Sequence, residues 1–183
     1  APPTPPERPD VVLVTLDTTR ADRLGSYGYA DAHTPNIDKV ASEGAHFERA
    51  YAVVPLTTPA HGSMMSGLYP TRTGIHTNGD AILNEEVTTL AEILNEQGYH
   101  TAASVSAFVT TRIWNLDQGF DAYFDKVEAA PDARDTRWSR ERRAGEVIDD
   151  LEGWLAEKPK DEPFFVWAHF YDPHDPYDPP EPW

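Results

Sequence analysis

The run Val11-Val12-Leu13-Val14-Thr15-Leu16 is apolar or β-branched at every position. A run of this length without polar alternation predicts a buried strand of the kind a parallel sheet uses. Pro163 to Tyr171, Pro-Phe-Phe-Val-Trp-Ala-His-Phe-Tyr, predicts a second strand of the same type. Tyr99 to Phe108, built of small and β-branched residues, predicts a third. Phe47 to Val54 reads as a weaker strand or extended lead-in.

Helical periods fall between these runs. Thr34-Pro35 opens a helix carrying Ile37, Val40 and Ala41, and Gly44 closes it. Thr89 and Glu92 form a capping-box pair for a helix carrying Leu90, Ile93 and Leu94, stopped by Gly98. The longest helix is predicted from about Thr136 to Glu157. There Ala144, Val147, Ile148, Leu151, Trp154 and Leu155 share one face, and Pro159 ends it. Its arginines at 137, 140, 142 and 143 read as a solvated face. A short helix is predicted from Pro59 to Ser66, with Thr58 as N-cap and Gly67 as stop. Leu68 to Asp80 reads as a surface loop, and 109 to 135 as irregular, with a turn at Gly119-Phe120-Asp121.

This alternation of strands and helices predicts an α/β fold: a doubly wound, mostly parallel sheet with helices on both faces. Right-handed crossovers bring the strand C-termini to one edge. Asp17, at the end of the first strand, then sits where open α/β sheets commonly place their chemistry. Thr57, beside the start of the short helix, is near unpaired N–H groups and the positive end of the helix dipole. There it serves either as a second cap or as a nucleophile. His174 follows the last strand within Asp172-Pro173-His174-Asp175-Pro176 and converges on the same edge. His169, inside that strand, reads as a satisfied core histidine. His33, His46, His76 and His100 have no metal-site spacing and read as structural or surface residues.

With 183 residues there is enough chain for one core. The net charge of −16 disfavours a nucleic-acid partner, since a phosphate backbone would be repelled. It leaves a small anionic substrate open, because a bound metal reverses the sign of a pocket. The absence of cysteine excludes disulfides and thiolate metal sites. No apolar run is long enough to cross a bilayer. Residues 1–10 form a Pro-rich extended lead-in to a folded unit over 11–183. Such a lead-in suits a periplasmic or extracellular chain, one tethered from a lipid anchor, or a boundary within a longer sequence.

The segments Leu13-Val14-Thr15-Leu16-Asp17 and Thr34-Pro35-Asn36-Ile37-Asp38 resemble the opening of the sulfatase family. So do Ala41-Ser42-Glu43-Gly44-Ala45-His46-Phe47 and the stretch from Thr57-Thr58-Pro59-Ala60-His61 to Ser66-Gly67-Leu68-Tyr69-Pro70. The Phe164-to-Pro176 segment looks like that family's later histidine motif. The resemblance implies the alkaline-phosphatase-like fold and a divalent metal, Ca²⁺ in the family, with Zn²⁺ or Mn²⁺ also compatible. It implies Asp17 and Thr57 as metal ligands and Thr57 as nucleophile toward a sulfate or phosphate-type ester. It also implies Thr58, His61 and His174 as contacts to that ester, His174 as acid or anion-binding group, and His61 as a first-turn catalytic contact.

The departures are specific. Thr18 stands where the family has a second aspartate, and His61 where it has arginine. Ser106 and Phe108 stand where it has a Lys-x-His pair. Thr57 replaces the Cys or Ser that is oxidised to formylglycine, and its branched Cβ would give a ketone, not an aldehyde. Direct attack by a threonine hydroxyl is the route of phosphodiesterase and phosphonate monoester hydrolase relatives. A non-catalytic protein that binds an anion or a partner is the reading from a different class. The family's further ligands lie beyond residue 183, so this segment is expected to be incomplete at its C-terminus and inactive by itself.

Overall fold

The computed structural model describes residues 8–129, 140–177 and 179. Its strands and helices, in chain order, are β1 (Val11–Leu16), α1 (Pro35–Glu43), α2 (Thr57–Ser66), α3 (Pro70–Thr73), α4 (Leu90–Glu96), β2 (His100–Val105), β3 (Ala122–Phe124), β4 (Glu128–Ala129), β5 (Arg140–Glu141), α5 (Ala144–Glu157) and β6 (Phe164–Phe170). The main sheet has four parallel strands in the order β1-β6-β2-β3. β4 and β5 form a separate antiparallel pair. The expected doubly wound α/β architecture is therefore present.

The two faces of the sheet carry separate cores. On one, Phe165, Trp167, Ala103, Val105 and Tyr123 pack against Met65 of α2, Ala91 of α4, and Ile75, Leu83, Trp114 and Leu116 from the connections. On the other, Ala102, Val166 and Ala168 pack against Val147, Leu151 and Trp154 of α5. Alternate residues of one strand thus supply both cores, which is why these runs show no polar alternation. Burying a Trp, Leu or Phe of this kind stabilises the fold by about 1.5–3 kcal/mol each.

Several expectations are corrected. β1 is not buried on both faces, because α5 covers β6 and β2 but leaves Val12 and Val14 59% and 51% exposed. Phe47 to Val54 forms no strand and is largely exposed. Pro70–Thr73 is helical, and 109–135 contains β3, a member of the main sheet. The long helix starts at Ala144; residues 136–139 of its predicted span lie outside the described residues. Arg142 is buried, not solvated. It pairs with Asp150 and donates to the carbonyls of Phe124 and Glu146 at 3.3 and 3.1 Å, tying β3 to α5. The Thr89–Glu92 capping box and the left-handed stop at Gly67 form as expected.

Candidate functional site

Asp17 sits one residue past β1, and its N–H donates to the Phe170 carbonyl at 2.9 Å, fastening it to the end of β6. It is 8% exposed. Among the described residues its carboxylate takes no hydrogen bond; His169 Nε2 lies 3.8 Å from Oδ2. A buried carboxylate without a cationic partner is costly unless a cation joins it. Thr18 follows at φ 53, a left-handed conformation that a β-branched residue adopts only when its surroundings hold it there. Its hydroxyl donates to the Pro173 carbonyl at 3.1 Å, pinning the His174 loop against the end of β1.

α2 begins at Thr57, with extended Leu56 as N-cap and no side-chain cap. The predicted start is corrected by two residues, and Thr58 is not the cap. It is fully buried, its hydroxyl donates to the Val109 carbonyl at 2.8 Å, and its N–H goes to Asn78 Oδ1 at 2.9 Å. The expected contact from Thr58 to the ester is corrected with it, because its hydroxyl is committed inside the core. Thr57 is left as the first-turn hydroxyl, half-buried.

His61, one turn along and 5% exposed, approaches the Thr57 carbonyl with Nδ1 at 2.7 Å. A carbonyl only accepts, so Nδ1 carries the proton and Nε2 is a lone pair. Burial pushes the His61 pKa down, while the bond to Thr57 and the charge of Asp17 pull it back. The His61 ring meets His169 edge-on with centroids 4.6 Å apart. His169 is fully buried and held well below its ordinary pKa, first by burial and then by His61. A continuous string of contacts thus runs from Asp17 through His169 and His61 to the backbone of Thr57.

His174 stacks on Tyr171, centroids 4.2 Å apart, and its Nδ1 meets the Asp175 carbonyl at 2.6 Å. The Tyr171 phenol is pushed far up, first by burial and then by the charges of Asp17 and Glu141. His174 therefore stands on a ring that feels the Asp17 carboxylate. Ser106 and Phe108 are structural: the Ser106 hydroxyl donates to the His169 carbonyl at 2.7 Å, and Phe108 packs edge-on against Trp114.

Sequence reasoning passed over Thr15, Thr19, Ser63 and Tyr171, and weighted His169 as satisfied. The hydroxyls of Thr19 and Ser63 and the Nε2 atoms of His61 and His169 are buried with no hydrogen-bond partner among the described residues. The available signal was polar residues, Thr15 and His169, inside otherwise apolar strands.

The donor chemistry at Asp17 suits a hard divalent cation. Among the described residues, however, no cluster of three or more His, Cys, Asp or Glu could hold one. The Asp17 carboxylate suits such a cation, and the described residues do not complete a ligand set around it. A separate groove of about 560 Å³ runs along α2, lined by residues such as Tyr51, Val53, Met64, Leu68 and Tyr69. Its lining is mostly apolar and carries no cationic side chain, so it suits an apolar group better than the charged end of an ester.

The sequence profile of the sulfatase family matches residues 9–183. The chain is similar to an ulvan-active sulfatase of Formosa agariphila, 28% identical over 94% of this chain and 37% of that protein. It is similar to arylsulfatase A of Bos taurus, 36% identical over 63% of this chain and 22% of that protein. Among solved structures, one in complex with its substrate D-glucosamine-2-N,6-O-disulfate superposes with a TM-score of 0.74 and 25% identity, covering 94% of this chain and 36% of that one. A phosphonate monoester hydrolase of Agrobacterium radiobacter superposes with a TM-score of 0.75 and 23% identity, over 96% of this chain and 43% of that one, which shows a shared fold. The chain spans less than half the length of each of these relatives.

Proposed function

The chain belongs to the sulfatase family, and from that premise we propose that it carries the nucleophile half of a metal-dependent hydrolase acting on sulfate or phosphate-type esters. The observation that supports this reading is the buried Asp17 carboxylate at the sheet edge, joined by His169 and His61 to the first turn of α2.

Asp17 and Thr57 would hold the cation, with Ca²⁺, Zn²⁺ or Mn²⁺ compatible and the remaining ligands lying outside the described residues. When bound, a divalent cation lowers the pKa of a coordinated hydroxyl and neutralises ester oxygens. Thr57 Oγ1, its proton passing to solvent water, would form a bond to sulfur or phosphorus as the bond to the leaving oxygen breaks. The start of α2 adds partial positive charge, worth about 1 kcal/mol. His174, on its pinned loop, donates a proton to the leaving oxygen, a role worth roughly 10²–10⁴ in rate. His61 has its Nδ1 proton committed to Thr57 and its ring buried, so it holds the first turn in place. Water would then attack the same sulfur or phosphorus, the bond to Thr57 Oγ1 breaking as a proton returns to that oxygen and the acid leaves.

Within this reading, Thr57 favours direct attack, as in a phosphodiesterase or phosphonate monoester hydrolase, over formylglycine chemistry. The chain's partners would be a small anionic ester and the remaining segment of a longer protein, in a periplasmic or extracellular setting. No described helix is long and apolar enough to cross a membrane.

The test is hydrolysis of para-nitrophenyl sulfate and bis-para-nitrophenyl phosphate by the full-length protein with Ca²⁺, Mn²⁺ or Zn²⁺. Metal-dependent turnover that disappears in Asp17→Asn supports the reading. Absence of turnover with every metal favours a protein that binds an anion or a partner without catalysis.

A further inference from the structure

We infer that His169 is a positioning residue: the string Trp167–Thr15–His169 presents an N–H to the Asp17 carboxylate and fixes that carboxylate for the cation. The inference rests on the reading of Asp17 as a metal ligand and adds the chain's own residues that orient it.

The Trp167 indole N–H, which can only donate, lies 3.0 Å from Thr15 Oγ1. Thr15 Oγ1 also lies 2.8 Å from His169 Nδ1. The Thr15 hydroxyl has one proton, and among the described residues no other side-chain bond is available to it. If it donates to His169 Nδ1, the indole, the hydroxyl and Nδ1 are all satisfied, and the His169 proton sits on Nε2, facing the Asp17 carboxylate. The opposite tautomer would leave the Thr15 proton unused and turn a bare Nε2 lone pair toward a carboxylate. The first arrangement is the favourable one.

His169 Nε2 is buried, has no hydrogen-bond partner among the described residues, and lies 3.8 Å from Asp17 Oδ2. At that distance the contact is a dipole facing a charge, not a hydrogen bond. In a dry interior such a contact still biases which way the carboxylate turns.

The sheet explains why the string is rigid. Thr15 and His169 are register partners on β1 and β6, and Val105 of β2 is the register partner of His169 on its other side. The Ser106 hydroxyl holds the His169 carbonyl at 2.7 Å. Trp167, fully buried, lies two residues before His169 on the same face. The string therefore cannot swing without breaking the sheet edge. Partners of this kind typically alter metal affinity or activity by about 10–100-fold when removed.

The experiment compares two amide replacements in the full-length protein. Gln places its amide nitrogen where His169 has Nε2, and Asn reaches only the Nδ1 position. Binding of Ca²⁺, Mn²⁺ and Zn²⁺ is measured by titration calorimetry alongside kcat and KM. His169→Asn is expected to weaken metal binding at least about tenfold and to lower kcat with KM little changed, whereas His169→Gln restores both to within about threefold of wild type. Nitrogen-15 NMR of the metal-free protein is expected to show His169 protonated on Nε2. The inference is overturned if Asp17→Asn abolishes metal binding while His169→Asn binds as wild type does, or if the proton is found on Nδ1. Failure of the wild-type protein to bind any of the three metals overturns the proposed function itself, and the metal role of His169 with it.

Discussion

His61 donates its Nδ1 proton to the carbonyl oxygen of Thr57, 2.7 Å away and one helical turn earlier. The bond fixes the tautomer and orientation of the ring and closes the first turn of α2 from inside the core. His61→Asn keeps an N–H near the Nδ1 position, and His61→Ala removes both that donor and the buried ring. His61→Ala is expected to lose about 2–4 kcal/mol of stability, and His61→Asn less than half of that. Urea denaturation of the two variants checks the ordering; equal losses would show that the bond contributes nothing.

Arg142 and Asp150 join α5 to the end of β3, and Arg142 is 8% exposed. Arg142→Ala removes the cation beside Asp150, to which the Ser104 hydroxyl still donates at 3.0 Å, and takes a donor from the carbonyls of Phe124 and Glu146. The expected loss is on the order of 3 kcal/mol, because a charge is left poorly compensated. Arg142→Ala together with Asp150→Ala is expected to lose less than Arg142→Ala alone. A chemical-denaturation cycle measures this.

Gly119 has φ +85, and a Cβ built there would lie 2.1 Å from the Glu92 backbone nitrogen. The obstacle is backbone at the start of α4, where the capping box fixes the chain. Gly119→Ala is therefore expected to destabilise by at least about 2 kcal/mol. The comparison is Gly145→Ala in α5, where a Cβ meets nothing within 4 Å and substitution should be neutral or stabilising. Melting temperatures of the two variants should move apart.

Tyr123 is buried and donates its phenol to the Thr110 carbonyl at 2.6 Å. Burial, with the charges of Asp125 and Asp117, pushes its pKa well above the ordinary value of 10.0. The folded state keeps a proton that the unfolded chain loses, so stability is full below pH 10 and falls as pH rises above it. The slope is about 1.4 kcal/mol per pH unit per group. Tyr171 shifts in the same direction, so Tyr123→Phe should roughly halve the alkaline slope. Denaturation curves between pH 9 and 11.5 are the measurement.

These elements show what the sequence made readable. Where a strand feeds both cores, as Phe165 to Ala168 does, side-chain chemistry alone marks it. The capping pair Thr89–Glu92 is local, so its geometry follows from spacing. β3 was hidden because Tyr123 is its one buried position, and its pairing to β2 comes from the sheet. Arg142 looked solvated because it precedes α5 while its partner Asp150 lies inside that helix, and the receiving carbonyl of Phe124 is remote in sequence. Asp17, Thr57 and His174 could be picked out from their places beside strand ends and a helix start. The link between Asp17 and Thr57 could not, because it passes from His61, singled out only as a first-turn contact to the ester, through His169, which looks like an ordinary core histidine.

The central claim is that Thr57 attacks an ester beside a cation on Asp17. The most direct measurement is metal-saturated kcat of the full-length protein on bis-para-nitrophenyl phosphate and para-nitrophenyl sulfate, for wild type, Thr57→Ser and Thr57→Ala. Thr57→Ser, which keeps the hydroxyl, should retain turnover, and Thr57→Ala should fall by at least about 10³-fold with its fold intact. Turnover by Thr57→Ala at the wild-type rate would contradict the account.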